Sequence, residues 1–150
     1  VHALKYERYA VGVDAFGMLF REVFADPCFL AADLIIPVPL HVQRLKQRGF
    51  NQSMILASQF FPAFKGRIKP RALVRQRYTM PQTSLSRHQR LANIRGAFLV
   101  SNPAMVRGRS VTLVDDIYTT GATINECARV LRRAGAAKII GLTFARVAEH

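Results

Sequence analysis

The apolar positions of this 150-residue chain switch between a helical and a strand-like period. Within residues 1–25, Ala15, Leu19 and Val23 recur every four residues beside Phe16 and Phe20, which predicts a helix with one apolar face. Asp26-Pro27 breaks it. An unbroken apolar run over 34–38 predicts a buried strand of a parallel sheet, and Pro37 and Pro39 stiffen its exit. Residues 40–50 read as a basic loop, after which Asn51 is placed to cap a helix carrying Ile55, Leu56 and Phe60. Strands are expected at 71–75, 97–100, 111–114 and 138–145, the last a buried one. Between them fall a long hydroxyl-bearing loop at 78–86, a short helix from Ser86 through Leu91 and Ile94, and a turn at Asn102-Pro103. A helix over 123–134 puts Cys127, Val130 and Leu131 inward and Arg129, Arg132 and Arg133 outward, and Gly135 stops it.

Strand, helix, strand in the last forty residues predicts a right-handed βαβ crossover. The fold class is therefore α/β, a mainly parallel sheet flanked by helices. The length suits one domain, an N-terminal helical segment at 1–30 and a core at 31–150. No apolar run reaches the roughly 18 residues of a membrane span, so no membrane insertion is expected, and no leader pattern is present. Val1 stands inside the helical pattern, as in a fragment of a longer protein. Cys28 and Cys127 lie far apart and outside metal-ligand spacing, which suggests a reducing, cytoplasmic setting without a disulfide scaffold.

The net charge of +13 is unevenly placed. Between Asp33 and Asp115 there is no acidic residue, yet fourteen Lys or Arg fall there. Ordinary surfaces intersperse both signs. A stretch carrying only positive charge points to an anionic partner, either phosphate groups or a nucleic-acid backbone.

The chemistry gathers where the best strand ends. Asp115-Asp116 is followed by Thr119, Thr120, Gly121, Ala122 and Thr123, which open a helix. A helix start offers unpaired N–H groups and a favourable dipole to an anion. Gly121 lets the backbone approach, and hydroxyls add donors. Neither GxxxxGK[ST] nor GxGxxG occurs, which argues against the corresponding nucleotide folds. Two acids alone could simply cap a turn. Adjacent side chains of a strand point to opposite faces, so both are expected to meet one ligand only if the chain bends at the pair, with the hydroxyl-rich turn supplying the bend.

The segment from Val111 to Thr123 resembles the phosphoribosyl pyrophosphate (PRPP) motif of type I phosphoribosyltransferases. Ile36-Pro37-Val38-Pro39-Leu40-His41, Arg44 and Arg48-Gly49-Phe50-Asn51-Gln52 resemble the ComF/GntX-like branch. So do Pro81-Gln82-Thr83, Leu85-Ser86, Arg90, Asn93 and Gly96-Ala97-Phe98. His2-Ala3-Leu4-Lys5-Tyr6 is similar to the segment that follows the branch's N-terminal zinc-binding module, a four-cysteine unit absent from this sequence.

The resemblance implies a type I phosphoribosyltransferase-like fold with residues 31–150 as the PRPP-binding core. It places the ribose hydroxyls on the catalytic acids Asp115 and Asp116. The 5′-phosphate falls on Thr119, Thr120, Gly121, Ala122 and Thr123, and the pyrophosphate on Arg44 and Arg48. The 78–86 loop would close over the site, and Mg²⁺ would be held largely by PRPP itself, with no protein metal cage. Transfer of ribose 5-phosphate needs cations for the leaving group and exclusion of water rather than a protein nucleophile. Arg75 and Arg77 also suit that task. His41 is a weaker candidate for a phosphate donor or proton shuttle, and Tyr118 either packs on the ligand or covers the sheet end. The acceptor is not identified, because no hood segment is recognisable. The alternative is a competence accessory protein, of use in DNA uptake, that binds single-stranded DNA or a helicase-like ATPase without turnover. Phe50, Phe60, Phe61, Phe64 and Tyr78 interleave with the cations of the acid-free stretch, though most of them suit a core better than base stacking.

Overall fold

The computed structural model describes residues 31–79 and 87–146. The expected helix at 1–25, Cys28 and most of the 78–86 loop lie outside them. Strand β1 (Leu34–Pro37) is followed by helices α1 (Val42–Arg48) and α2 (Gln52–Phe60), then a 3-10 turn (Pro62–Arg67). Strand β2 (Leu73–Arg75), helix α3 (Arg87–Ile94), strand β3 (Phe98–Val100) and helix α4 (Pro103–Val106) come next. Strand β4 (Ser110–Tyr118), helix α5 (Ala122–Arg133) and strand β5 (Lys138–Arg146) complete the order.

The fold is α/β. A three-stranded parallel sheet runs in the order β1-β4-β5, and β2 and β3 form a separate antiparallel pair. Period-two alternation sorts the strand residues between two layers. Leu34, Ile36, Val111 and Leu113 join Cys127 and Leu131 of α5, with Leu73 and Phe98 of the small sheet, in one core. Ile35, Val114 and Leu142 pack with Leu56, Ala57 and Phe61 in the other. Because both faces of β1 and β4 are covered, these strands read as continuous apolar runs.

Three expectations need correction. Residues 42–48 are helical rather than a loop. His41 caps α1 by accepting the Gln43 N–H on Nδ1 at 3.3 Å, and no residue of α1 is buried, so no apolar period betrays it. Asn102-Pro103 opens α4 instead of a simple turn, Asn102 accepting the Ala104 N–H at 3.1 Å. Strand β5 is only half covered, with Leu142 its one buried residue, because among the described residues it borders β4 alone.

Sequence periodicity also hides Glu126, a buried acid on α5. Its Oε1 accepts the Gly96 N–H at 2.7 Å, and both carboxylate oxygens accept from Arg129. It thus ties the helix behind the glycine turn to the entry of β3. Glu126→Ala is expected to lower unfolding stability by about 1–2 kcal/mol. A urea midpoint shifted down at constant slope would show it; an unmoved midpoint would refute it.

Candidate functional site

Three segments converge beyond the carboxyl ends of β1 and β4, where parallel sheets present ligand sites. The first follows β1. Asn51 stitches it together, donating from Nδ2 to the Val38 carbonyl at 3.0 Å while its Oδ1 accepts the Ser53 N–H at 3.0 Å. That cap sets the start of α2 and aims Ser53 at β4. The buried Ser53 hydroxyl donates to Asp115 Oδ1 at 3.0 Å. Arg44 and Arg48 ride on α1, which ends at Gly49 with φ +81°, the left-handed conformation a side chain disfavours.

The second segment is the acid pair. Strand β4 does not bend there: Asp115 pairs with Thr143, Ile117 with Ala145, and regular pairing runs to Tyr118. The turn starts only after Tyr118, and still both acids line one cleft. Each carboxylate curls onto the next backbone N–H, Asp115 Oδ1 accepting from Asp116 at 3.0 Å and Asp116 Oδ1 from Ile117 at 2.9 Å. Asp115 is 8% exposed. Burial first, and then the neighbouring Asp116 charge, push its pKa up to about 7; the N–H of Asp116 and the hydroxyl of Ser53 oppose the rise. An acid so placed gains from any ligand that brings donors or positive charge.

The third segment is the glycine turn. Gly121, at φ +74°, is the N-cap of α5 and supplies no side-chain cap to the helix start. A Cβ there would stand 2.7 Å from Tyr118 Cζ, so a side chain at this position would have to displace the Tyr118 ring as well as hold a left-handed φ. Thr120 Oγ1 accepts the Ala122 N–H at 3.4 Å.

Asp115, Asp116, Thr119, Thr123, Arg44 and Arg48 line a single cleft of about 430 Å³. Thr120, Gly121 and Ala122 do not line it. Gly121 and Ala122 instead shape a small adjoining hollow that shares Thr119 and Thr123 with the cleft. Tyr118 also borders that hollow, with the Arg146 guanidinium 5.7 Å from its ring centroid. Arg75 and Tyr78 reach the main cleft as well; Arg77 does not, its guanidinium donating to the carbonyls of Asn93 and Arg95. His41 caps α1 and meets the Tyr78 ring edge-on, centroids 5.4 Å apart.

Arg75 is nearly buried, with its guanidinium 5.3 Å from the Phe98 ring centroid. It donates to the Thr79 hydroxyl, and its Nε finds no acceptor among the described residues. Burial, then repulsion from Arg44, push its pKa down to about 10, which leaves it charged at neutral pH. Arg44 donates to the Thr79 carbonyl at 3.1 Å. Two guanidinium groups therefore hold the root of the 78–86 loop against the cleft. Ser53 is the site residue that sequence reasoning missed: its position after the Asn51 cap is legible, whereas its reach to an acid 62 residues away is not.

Residues 41–149 match the family model of the phosphoribosyl transferase domain. The chain is 36% identical over 143 residues to the DNA utilization protein YhgH of Escherichia coli O6:H1, covering 93% of this chain and 62% of that protein. Competence protein F of Haemophilus influenzae is 36% identical over 113 residues, covering 71% of this chain and 47% of its own. Competence protein ComFC of Streptococcus pneumoniae is 32% identical over 140 residues, covering 87% and 57% respectively. This chain thus spans about half to three fifths of the length of these relatives. Its fold is similar to that of the allosteric regulatory enzyme of purine biosynthesis, with a TM-score of 0.52 and 21% identity, over 91% of this chain and 26% of that one.

Proposed function

Because this chain belongs to the phosphoribosyl transferase domain family, in its ComF-like branch, we propose that its cleft binds PRPP with Mg²⁺ and presents it for transfer of ribose 5-phosphate to an acceptor. One observation carries the reading: paired acids, turn threonines and two arginines border the same cleft. In it, Asp115 and Asp116 accept hydrogen bonds from the ribose hydroxyls. The start of α5 and the turn from Thr119 to Thr123 hold the 5′-phosphate, and Arg44 and Arg48 clamp the pyrophosphate. Transfer breaks the bond from the anomeric carbon to pyrophosphate and forms one to the acceptor. Positive charge grows on the ribose and negative charge on the leaving group, which the two guanidiniums stabilise.

Mg²⁺, when bound, would neutralise the pyrophosphate. Its ligands would come chiefly from PRPP, since no cluster of three His, Cys, Asp or Glu stands together among the described residues. The acid pair suits such a guest, because the mutual repulsion that raises Asp115 is relieved by added positive charge.

Calorimetric titration with PRPP and Mg²⁺ tests the binding. Heat is expected with the native chain and none with Asp115→Asn/Asp116→Asn. No heat with the native chain, or equal heats with both, refutes the reading.

A second reading has its own support: the relatives' names concern DNA utilization and competence, and the acid-free stretch calls for a polyanion. Under it the chain binds single-stranded DNA or serves a DNA-handling partner such as a helicase-like ATPase, without turnover.

A further inference from the structure

Cations gather at both ends of the sheet, some from the acid-free stretch and some from beyond Asp115. Arg44, Arg48 and Arg75 gather at the cleft, beyond the carboxyl ends of the strands. The opposite end, where the strands begin, has a second set. Lys69 lies beside the start of β1, its N–H donating to the Ile35 carbonyl at 2.8 Å. Arg67 reaches the carbonyl of Ala32, just before that strand, at 3.2 Å. Arg109 immediately precedes β4, and Lys138 opens β5. Arg109's carbonyl accepts the Ala137 N–H at 2.9 Å, which brings those two strand starts together. Arg133 closes α5 at the same end, and Arg107 packs beside Gly135 in the turn that follows.

Neighbouring parallel strands lie about 4.8 Å apart. The starts of β4 and β5 therefore bring Arg109 and Lys138 to neighbouring positions at roughly that interval, a spacing of the same order as the charges of a nucleic-acid backbone, while Lys69 stands across β1, level with Ile36. Arg67, Arg109, Arg133 and Lys138 are exposed. Among the described residues, Asp33 is the one acid at this end. Its Oδ2 is spent on the Ser110 N–H and hydroxyl at 2.8 and 2.7 Å. Those hydrogen bonds chiefly, with Arg109 and Arg67 nearby, hold its carboxyl below the usual range. A face this basic repels itself unless an anion lies across it.

We propose that the amino-terminal end of the sheet is a second anion site, a cluster of exposed cations around the starts of β4 and β5 that takes the backbone of a single-stranded nucleic acid, separate from the cleft at the opposite end. The inference deepens the second reading above and rests on it for the identity of the anion. Phosphate contact of this kind is indifferent to base sequence and weakens steeply with salt. It also predicts that strand and PRPP bind independently, because the two sites lie at opposite ends of β4.

Labelled oligothymidylate titrated across a salt series tests the proposal, with the native chain, Arg109→Gln/Arg133→Gln/Lys138→Gln and Arg44→Gln/Arg48→Gln compared. The first variant is expected to lose on the order of tenfold or more in affinity at low salt. Its log–log salt slope should shrink by about 2, as three lost contacts to a single strand imply. Its melting temperature and its heat with PRPP and Mg²⁺ should stay unchanged, which separates lost contacts from lost fold. The cleft variant should retain the oligonucleotide. Undiminished affinity in the triple variant, or loss confined to the cleft variant, overturns the separate face while leaving DNA binding intact. If the native chain shows no salt-dependent binding, the second reading falls and the face with it, as a basic surface kept for solubility.

Discussion

Asp115→Asn should melt at a higher temperature than the native chain at pH 8 while losing the PRPP affinity proposed for the cleft. The native carboxyl titrates near 7 because burial and Asp116 disfavour its charge. In the unfolded chain it titrates near 4. Between those values the folded state holds a proton that the unfolded state has released. The contribution of Asp115 to stability is therefore most favourable at low pH, falls as pH rises from about 4 to 7, and its deficit is complete above the folded pKa. Asparagine removes the charge and keeps the Oδ1 that accepts from Ser53 and from the Asp116 N–H.

The gain at pH 8 is on the order of 1–3 kcal/mol, or about 5 °C in a domain of this size. Near pH 4 it should vanish. Melting curves of both proteins across this range give the answer, and a gain that is absent at pH 8, or the same at both ends, would show that the buried charge carries no cost. The proposed ligand draws on the same stored repulsion, since it supplies the donors and positive charge that Asp115 lacks.

Gly121→Ala should damage both the turn and the cleft. A left-handed φ costs an alanine about 1–2 kcal/mol, and its Cβ would press on Tyr118, 2.7 Å from Cζ. The ring would have to shift from its place 5.7 Å from the Arg146 guanidinium. We expect a loss of about 2 kcal/mol or more in chemical denaturation. The displaced turn should also cost at least tenfold in PRPP affinity, because N–H groups at the helix start must stay aimed at the phosphate. In a Tyr118→Ala background the clash disappears and the backbone strain persists, so the same substitution should cost only about 1–2 kcal/mol. Equal costs in both backgrounds would exclude the Tyr118 contact as a contributor.

The strands at 34–37, 73–75 and 98–100, and the caps at Asn51 and Gly135, were legible because each rests on neighbours in sequence: an apolar run, a capping side chain, a glycine past a helix end. Helix α1 was not, because a helix with no buried residue leaves no apolar rhythm. Its caps, His41 and Gly49, looked like loop residues. The missing bend at Asp115-Asp116 has a similar origin. Pairing with β5 keeps β4 extended through Tyr118, and strand pairing across a sheet is invisible in one segment.

By itself the sequence determined which residues carry charge and hydroxyls, where the glycine turn falls, and that the middle section is free of acid. These are matters of composition and local order. Only the tertiary structure decided that Ser53 meets Asp115, that Arg44 and Arg48 on α1 border the same cleft as the acid pair, and that Arg77 turns away from it. It also set separate groups of cations at the two ends of one sheet. A parallel sheet joins segments far apart in the chain through long crossovers, so the company each charge keeps is set by strand order and register, and no local pattern records it.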